Sequence, residues 1–400
     1  MLIPLPLDTV ELNTPIPINI WDPKGVLLLR KGQSIESAQH REYLLQHSPH
    51  AHDDEFKAWT YSYTTQLDRM VRTNQSLNKI AGATRPAELT ELDVLRDQDP
   101  VSSWPDLHAT VSTLLHQGPA IEDFLERLQK VERRMTHLVN AQADNALFML
   151  VQMLFDRRLG YTATHAMLAA TACYLVGQSA DLSAQEQSTM FRVALTQNLG
   201  MARLQDELAR QEQPPSPAQK ATILAHPARS AMLLRAMGVS DALWLRWLEE
   251  HHEAQGGGGY PSGKKNLGVA QQLIHMADIF VGRISPRLSR RGLLPQTAAR
   301  ELYLGPDGQP SPLGALFVKT IGIYPPGSYV QLAGGEVAVV VRRGRRANTP
   351  VVFSIVGRQG MPLGEPALRD TTERLYEVKG GVAAEDVRVV INPSKLLNRA

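Results

Sequence analysis

Of its 400 residues, the chain has one cysteine, Cys173. No internal disulfide can form, which fits a reducing compartment. No run of about 18 apolar residues is present to span a bilayer. The opening residues, MLIPLPLDTVELNTPIP, lack the basic stretch and following apolar stretch of a signal peptide. A cytoplasmic protein with no membrane partner is therefore expected. An excess of charge of one sign is also missing. Lys and Arg number 42 against 40 Asp and Glu, a balance of +2. No global field draws such a chain to DNA, and none is expected as a partner. Aromatic residues make up only 6%, but 43% apolar and 20% charged residues are ordinary for a globular protein. A disordered chain, a collagen and a disulfide-stapled mini-protein are excluded. Repeats and low-complexity tracts are absent.

What is present divides the chain into stretches. PIPINIWD and VLLLRKG flank Asp22-Pro23-Lys24-Gly25, which has hairpin-turn chemistry, and Ser34 to His47 reads as a helix. Residues 1–80 are thus expected to form an N-terminal α/β unit. Residues 81–106, with Pro86, Pro100 and Pro105 among polar residues, read as a linker. Residues 107–320 are expected to be helical, and 321–400 to form a C-terminal β module. Within the helical part, 121–158 places Ile121, Phe124, Leu125, Leu128, Val131, Met135, Leu138 and Val139 at three- and four-residue steps. That stripe either packs into its own core or joins two copies of the chain as a homodimer. Further helices are expected around 162–177, 184–211, 216–237, 240–254 and 267–285. After Tyr324-Pro325-Pro326-Gly327 the runs YVQLAGGEVAVVVRR, TPVVFSIVG, RLYEV and DVRVVINP read as short strands. Arg342-Arg343-Gly344-Arg345-Arg346 is a dense basic patch, either a solvated hairpin tip or a phosphate-binding element. Cys173 lies in an apolar helix, where a buried, inert thiol is expected.

Histidines fall at telling places in the helical middle. His251-His252-Glu253 precedes a glycine run and Tyr260-Pro261. Adjacent helical residues diverge by about 100°, so both rings reach one cavity only near a helix end, which the glycines would supply. His226 precedes Pro227, which at a first helical position would leave the ring at the cap. Asp278 sits between Ile274 and Val281 on an apolar face, where a carboxylate is costly unless paired or metal-bound. His165 lies among Met167, Leu168 and Ala169. Each alone reads as a satisfied polar residue. Together His165, His226, His251, His252 and Asp278 suit a transition metal.

These residues resemble the HD-GYP domain, an elaborated HD-fold phosphohydrolase that hydrolyses the bacterial messenger cyclic di-GMP. The pattern HHE-x-x-(D)G-x-GYP-x-G is matched by His251-His252-Glu253, Gly257, Gly259-Tyr260-Pro261 and Gly263. YT-x-x-H is matched by Tyr161, Thr162 and His165, and the HP pair by His226-Pro227. The AD of AD-x-x-D is matched by Ala277-Asp278, and R-x-x-R by Arg287 and Arg290. The agreement spans about 160–292. It implies a mainly α fold: an HD-domain helical bundle with a small N-terminal β-containing unit and a small, β-barrel-like C-terminal module.

The sequence departs from the family at the element that names it. Where HD-x-GK is expected, Gln197, Asn198 and Met201 stand for the histidine, the aspartate and the lysine. Gly256 replaces an aspartate before Gly257, and Val281 the second aspartate of AD-x-x-D. In the family the aspartate of the HD pair, replaced here by Asn198, bridges two metals, which together clamp a phosphodiester. An amide is a weaker ligand and carries no charge. The resemblance therefore implies a degenerate, catalytically impaired domain. At most one divalent transition metal, Fe or Mn, would be held by His165, His226, His251, His252 and Asp278, or none if degeneration is complete. Gly257, Gly259, Tyr260, Pro261, Arg287 and Arg290 would face a ligand. The implied partners are cyclic di-GMP and, through the GYP loop, diguanylate cyclase domain proteins. An active cyclic di-GMP phosphodiesterase with an unusual metal site is the alternative.

Overall fold

In the computed structural model the residues described are 2–7, 10–52, 100–305 and 308–399, with scattered positions between 55 and 83. Two compact units divide the chain, Met1–Ser102 and Ser103–Ala400. The segment 84–99, most of the stretch expected to be a linker, lies outside the described residues.

The first unit is built on an antiparallel sheet of β1 (Leu2–Pro4), β2 (Ile20–Trp21), β3 (Leu27–Leu29) and β4 (His50–His52), in the order β1-β4-β2-β3. The turn between β2 and β3 follows from its residues. Asp22 Oδ1 accepts from the amides of Lys24 and Val26, each at 2.8 Å, and Gly25 takes a φ of +84° that only glycine adopts freely. Helix α1 (Ala38–Gln46) begins where Ser37 accepts from the His40 amide, an N-cap. Leu7, Ile16, Ile18, Ile20, Ile35 and Leu44 close the core.

Helix α2 (Pro100–Gln117) begins three residues before Ser103 and belongs for the rest of its length to the second unit. The end of the expected linker is therefore helical, and Pro105 sits inside that helix. The apolar stripe of 121–158 is not one continuous helix. It divides into α3 (Phe124–Ala141) and α4 (Ala143–Phe155) at Gln142, whose φ of −153° is non-helical. Phe124, Leu128, Val131, Met135, Leu138 and Val139 are buried within their own chain, while Ile121 and Leu125 of the same stripe are half-buried.

Helix α5 (Tyr161–Ser179) is buried along nearly its whole length, because Ala, Thr and Leu cover every side of it. It packs against α4, α6 (Ala184–Thr196) and α10 (Val269–Ile284). The stretch expected as one helix over 184–211 breaks at Gln197-Asn198. A 3-10 turn at Leu199–Met201 follows, and then α7 (Ala202–Ala209). The cause is a close approach to α8 (Pro217–Ala236): a Cβ on Gly200 would meet the Ser230 amide at 2.8 Å and the His226 carbonyl at 2.9 Å. Helix α9 (Ala242–Glu249), capped by Asp241, stops short of the glycines. Helices α11 (Pro295–Tyr303) and α12 (Pro312–Ile321) complete the bundle.

The C-terminal module is β5 (Tyr329–Leu332), β6 (Val337–Arg342), β7 (Val351–Val356), β8 (Pro362–Arg369) and β9 (Val378–Val382), antiparallel in the order β8-β7-β6-β5-β9. Its two edges do not pair, so the barrel-like expectation is corrected to an open sheet. RLYEV ends where β9 begins. DVRVVINP, expected as a strand, runs from the end of a 3-10 turn through chain that pairs with no strand. Its last two residues start a helix instead: the Asn392 side chain accepts from the Lys395 amide and caps α13 (Pro393–Leu397).

Candidate metal centre

His226 lies in the tenth position of α8, not at its cap. The helix already starts at Ser216-Pro217, where Ser216 and Gln219 form a capping box and the proline supplies a ready-made first helical residue. Pro227 therefore sits in the helix interior, where its missing N–H leaves the Ile223 carbonyl without its usual donor. His226 supplies one: its Nδ1–H donates to Ile223 O at 2.5 Å. The proline thus frees the acceptor that orients the ring.

His251 is held the same way. Its Nδ1–H donates to Leu248 O at 2.6 Å, at the end of α9. With both Nδ1 atoms committed as donors, both Nε2 atoms are lone pairs when the rings are neutral, and they face each other at 3.1 Å. Two lone pairs at that distance repel, and a cation would answer both. Burial favours the neutral rings. It pushes His226 down to about 4, His251 well below its ordinary value and His252 downward as well. His252 completes the cluster, with its ring centroid 4.1 Å from that of His251. One ring nitrogen from each of the three histidines lies within 4.8 Å of the others. Neutral imidazoles with fixed tautomers are what a transition metal needs. These residues fit one such cation.

His165 and Asp278 do something else. His165 Nε2–H donates to Asp278 Oδ1 at 2.9 Å, and its Nδ1 lies 3.0 Å from the Tyr161 hydroxyl. Burial alone would lower the His165 pKa, but Tyr161 and Asp278 outweigh it and raise it to about 9. Burial likewise opposes charge on Asp278, yet the His165 hydrogen bond and the neighbouring histidines hold it well below the usual carboxylate range. The two form a buried ion pair. Gln197 Nε2–H donates to the same Oδ1 at 2.6 Å, and its own Oε1 is buried without a partner. Asp278 Oδ2 remains, 3.7 Å from His252 Nδ1. Of the five residues expected to hold a metal, three cluster and two pair with each other. Of the substituted positions, Gln197 and Asn198 are buried and Met201 is half-buried.

The loop after the cluster is shaped by Glu253, which is fully buried. Its carboxylate accepts from the amides of Ser262 at 2.6 Å and Lys264 at 2.8 Å. Gly259 cannot carry a side chain, because a Cβ would lie 2.3 Å from His252 O. Gly257 has a φ of +93°. Tyr260 stacks on His252, 4.6 Å between ring centres, while Pro261 is exposed. Arg287 donates from Nη2 to the Tyr161 hydroxyl at 2.8 Å and lies over that ring, 4.7 Å from its centre. Its Nε has no partner. Arg290 turns away: Nη2 donates to Gly282 O at 2.5 Å, closing the end of α10.

One positioning residue escaped the sequence reading. Asp206 Oδ1 accepts from the amides of Tyr161 at 2.8 Å and Thr162 at 2.7 Å, and Oδ2 lies 2.8 Å from His116 Nε2. It caps α5 from another helix. The only hint in the sequence is negative, since Leu159-Gly160 offers no side-chain cap of its own.

Comparison with known proteins places this architecture. Residues 148–305 match the family model of the HD domain. Over this segment the chain is similar to HD domains. The chain is 24% identical over 224 residues to cyclic di-GMP phosphodiesterase PA4108 of Pseudomonas aeruginosa, covering 54% of each chain. It is 22% identical over 175 residues to 3'3'-cGAMP-specific phosphodiesterase 1 of Vibrio cholerae, covering 43% of this chain and 38% of that one. The chain thus spans about half the length, or less, of the curated relatives it matches. A solved structure, Bd1817, a HDG"Y"P protein from Bdellovibrio bacteriovorus, aligns over 80% of this chain and 98% of its own at 16% identity, with a TM-score of 0.41. No helix of the described residues is long and apolar enough to cross a membrane.

Proposed function

We propose that the HD domain holds one divalent transition metal, iron or manganese, on His226, His251 and His252. We further propose that it acts in cyclic-dinucleotide signalling with impaired hydrolysis, chiefly by binding the dinucleotide. The observation that carries this reading is the state of Asp278. Its Oδ1 is taken by His165 and Gln197, and Asn198 adds no charge where the family has a bridging aspartate. One oxygen, Asp278 Oδ2, is left beside His252, and no second carboxylate stands at position 198 to link a second cation. When bound, one divalent metal would supply Lewis acidity toward a phosphoryl oxygen. The chain's own groups hold the cation with neutral imidazoles, set Tyr260 against the cluster, and place the half-buried Arg287 beside Tyr161 as the cation offered to a phosphate. The 257–263 loop would be the face offered to a cyclase-type partner.

The test is metal analysis of the purified full chain alongside incubation with cyclic di-GMP. About one Fe or Mn per chain, calorimetric binding weakened by Arg287→Ala, and no steady turnover are expected. Two metals per chain with sustained cleavage would overturn the reading. A one-metal hydrolase is the second reading, favoured by the remaining Asp278 oxygen beside His252. Its mark is turnover that vanishes both on chelation and in Asp278→Ala.

A further inference from the structure

We propose that the chain has a second ligand site, remote in sequence from the histidine cluster, that takes a nucleotide: a ligand carrying both phosphate and a flat aromatic base. A cavity of about 580 Å³ lies between α11, α12 and the segment that joins β6 to β7. Its wall carries the cations Arg300, Lys319, Arg343, Arg345 and Arg346, and no carboxylate. In a chain with 42 basic and 40 acidic residues, a wall of one sign is not the expected mixture. Like charges gathered around a partly enclosed space repel one another more than on open surface, and an anion relieves them. Arg300, Lys319, Arg345 and Arg346 make no ion pair among the described residues.

The basic segment is not a loose hairpin tip. Arg343 donates to Asp144 of α4 and to the Thr320 carbonyl at the end of α12, which ties the segment back onto the bundle. Gly344 approaches the Thr349 carbonyl so closely that a Cβ would lie 1.8 Å from it. The Thr349 amide in turn donates to Arg346 O at 3.1 Å. The turn that displays Arg345 and Arg346 is therefore closed on itself, and less ordering is lost when an anion binds.

One further feature points past a bare phosphate. Tyr303, 40% exposed, and Tyr324 present aromatic surface in the same wall, and bases stack on such surfaces. The volume falls within the roughly 300–1,000 Å³ of ordinary small-molecule sites, which favours a free nucleotide over an RNA strand.

The test is isothermal titration of the full chain with ATP, GTP, pyrophosphate and a single-stranded RNA oligonucleotide, in wild type and three variants. At least one of the two nucleotides is expected to bind in the micromolar range. The double variant Arg345→Ala with Arg346→Ala should weaken it by about tenfold or more, as loss of charged hydrogen bonds does, with an unchanged melting temperature because both side chains are exposed. Tyr303→Ala should weaken nucleotide but not pyrophosphate, and His251→Ala should leave nucleotide binding as it is. The proposal is overturned by no heat from either nucleotide at millimolar concentration, or by equal affinity in the double variant. It is overturned equally by pyrophosphate binding as tightly as nucleotide, or by RNA binding more tightly than both. None of these outcomes touches the metal reading, which His251→Ala addresses separately.

Discussion

Asp278 has two oxygens with different fates. Oδ1 is shared by His165 and Gln197, whereas Oδ2 faces His252. A histidine in place of Gln197 and an aspartate in place of Asn198 would restore a ligand and a negative charge on the turn that Gly200 keeps close to α8. The paired variant Gln197→His with Asn198→Asp should therefore raise bound metal from about one to about two per chain, read by elemental analysis. Unchanged content would mean that the second position cannot re-form. Asp278→Ala strands the buried His165 charge. Breaking such a pair costs about 3–5 kcal/mol, so the melting temperature should fall clearly even in metal-free protein. Which residues meet was partly legible in the sequence, because His251 and His252 are adjacent and need only a helix end. That His165 would take Asp278 for itself was not. It follows from Gln197 filling the space and from burial, neither of which spacing reports.

At the level of single elements, α8 shows why a local rule misled. A proline after a histidine suggests a helix start, but Ser216-Pro217 is a stronger start ten residues earlier. The interior proline then became a device for orienting His226. Pro227→Ala would return an amide to the Ile223 carbonyl and make it compete with the Nδ1–H of His226. The expected result is metal affinity reduced about 10-fold, the lower end for loss of a ligand's outer hydrogen bond, with helicity unchanged. Zinc titration with a competing chelator would measure it, and unaltered affinity would remove the proline from that role. The break at 197–201 was equally hidden. Its cause is the contact of Gly200 with Ser230 and His226, a long-range approach that periodicity along one segment does not encode. The expected hairpin turn at Asp22–Gly25 is present because turn chemistry is local.

Across the whole molecule, stability should depend on metal and on pH in separable ways. If the cluster binds as proposed, free metal at 100 times its Kd adds about 2.7 kcal/mol. Chelation should then lower the melting temperature of wild type and leave that of His251→Ala unmoved. The C-terminal sheet has its own dependence. Glu336 accepts from Arg369 Nε at 2.8 Å and from Ser354 Oγ at 2.6 Å, and the Arg369 hydrogen bond holds its pKa below the ordinary value. A depressed folded pKa means the unfolded chain takes up the proton first. The stabilisation is present above the unfolded carboxyl value of about 4.3 and is lost as pH falls through the folded one. Thermal melts of wild type and Glu336→Gln should converge on acidification and separate near neutrality. A constant gap between the two curves would exclude this pair as the source.

The grip of Glu253 on the amides of Ser262 and Lys264 uses none of the three histidines. The turn it braces can therefore hold its outline whether the neighbouring imidazoles are filled or empty. A protein that docks on that turn would meet the same contour in either condition, and the choice between cargo and no cargo would be free to report something other than shape.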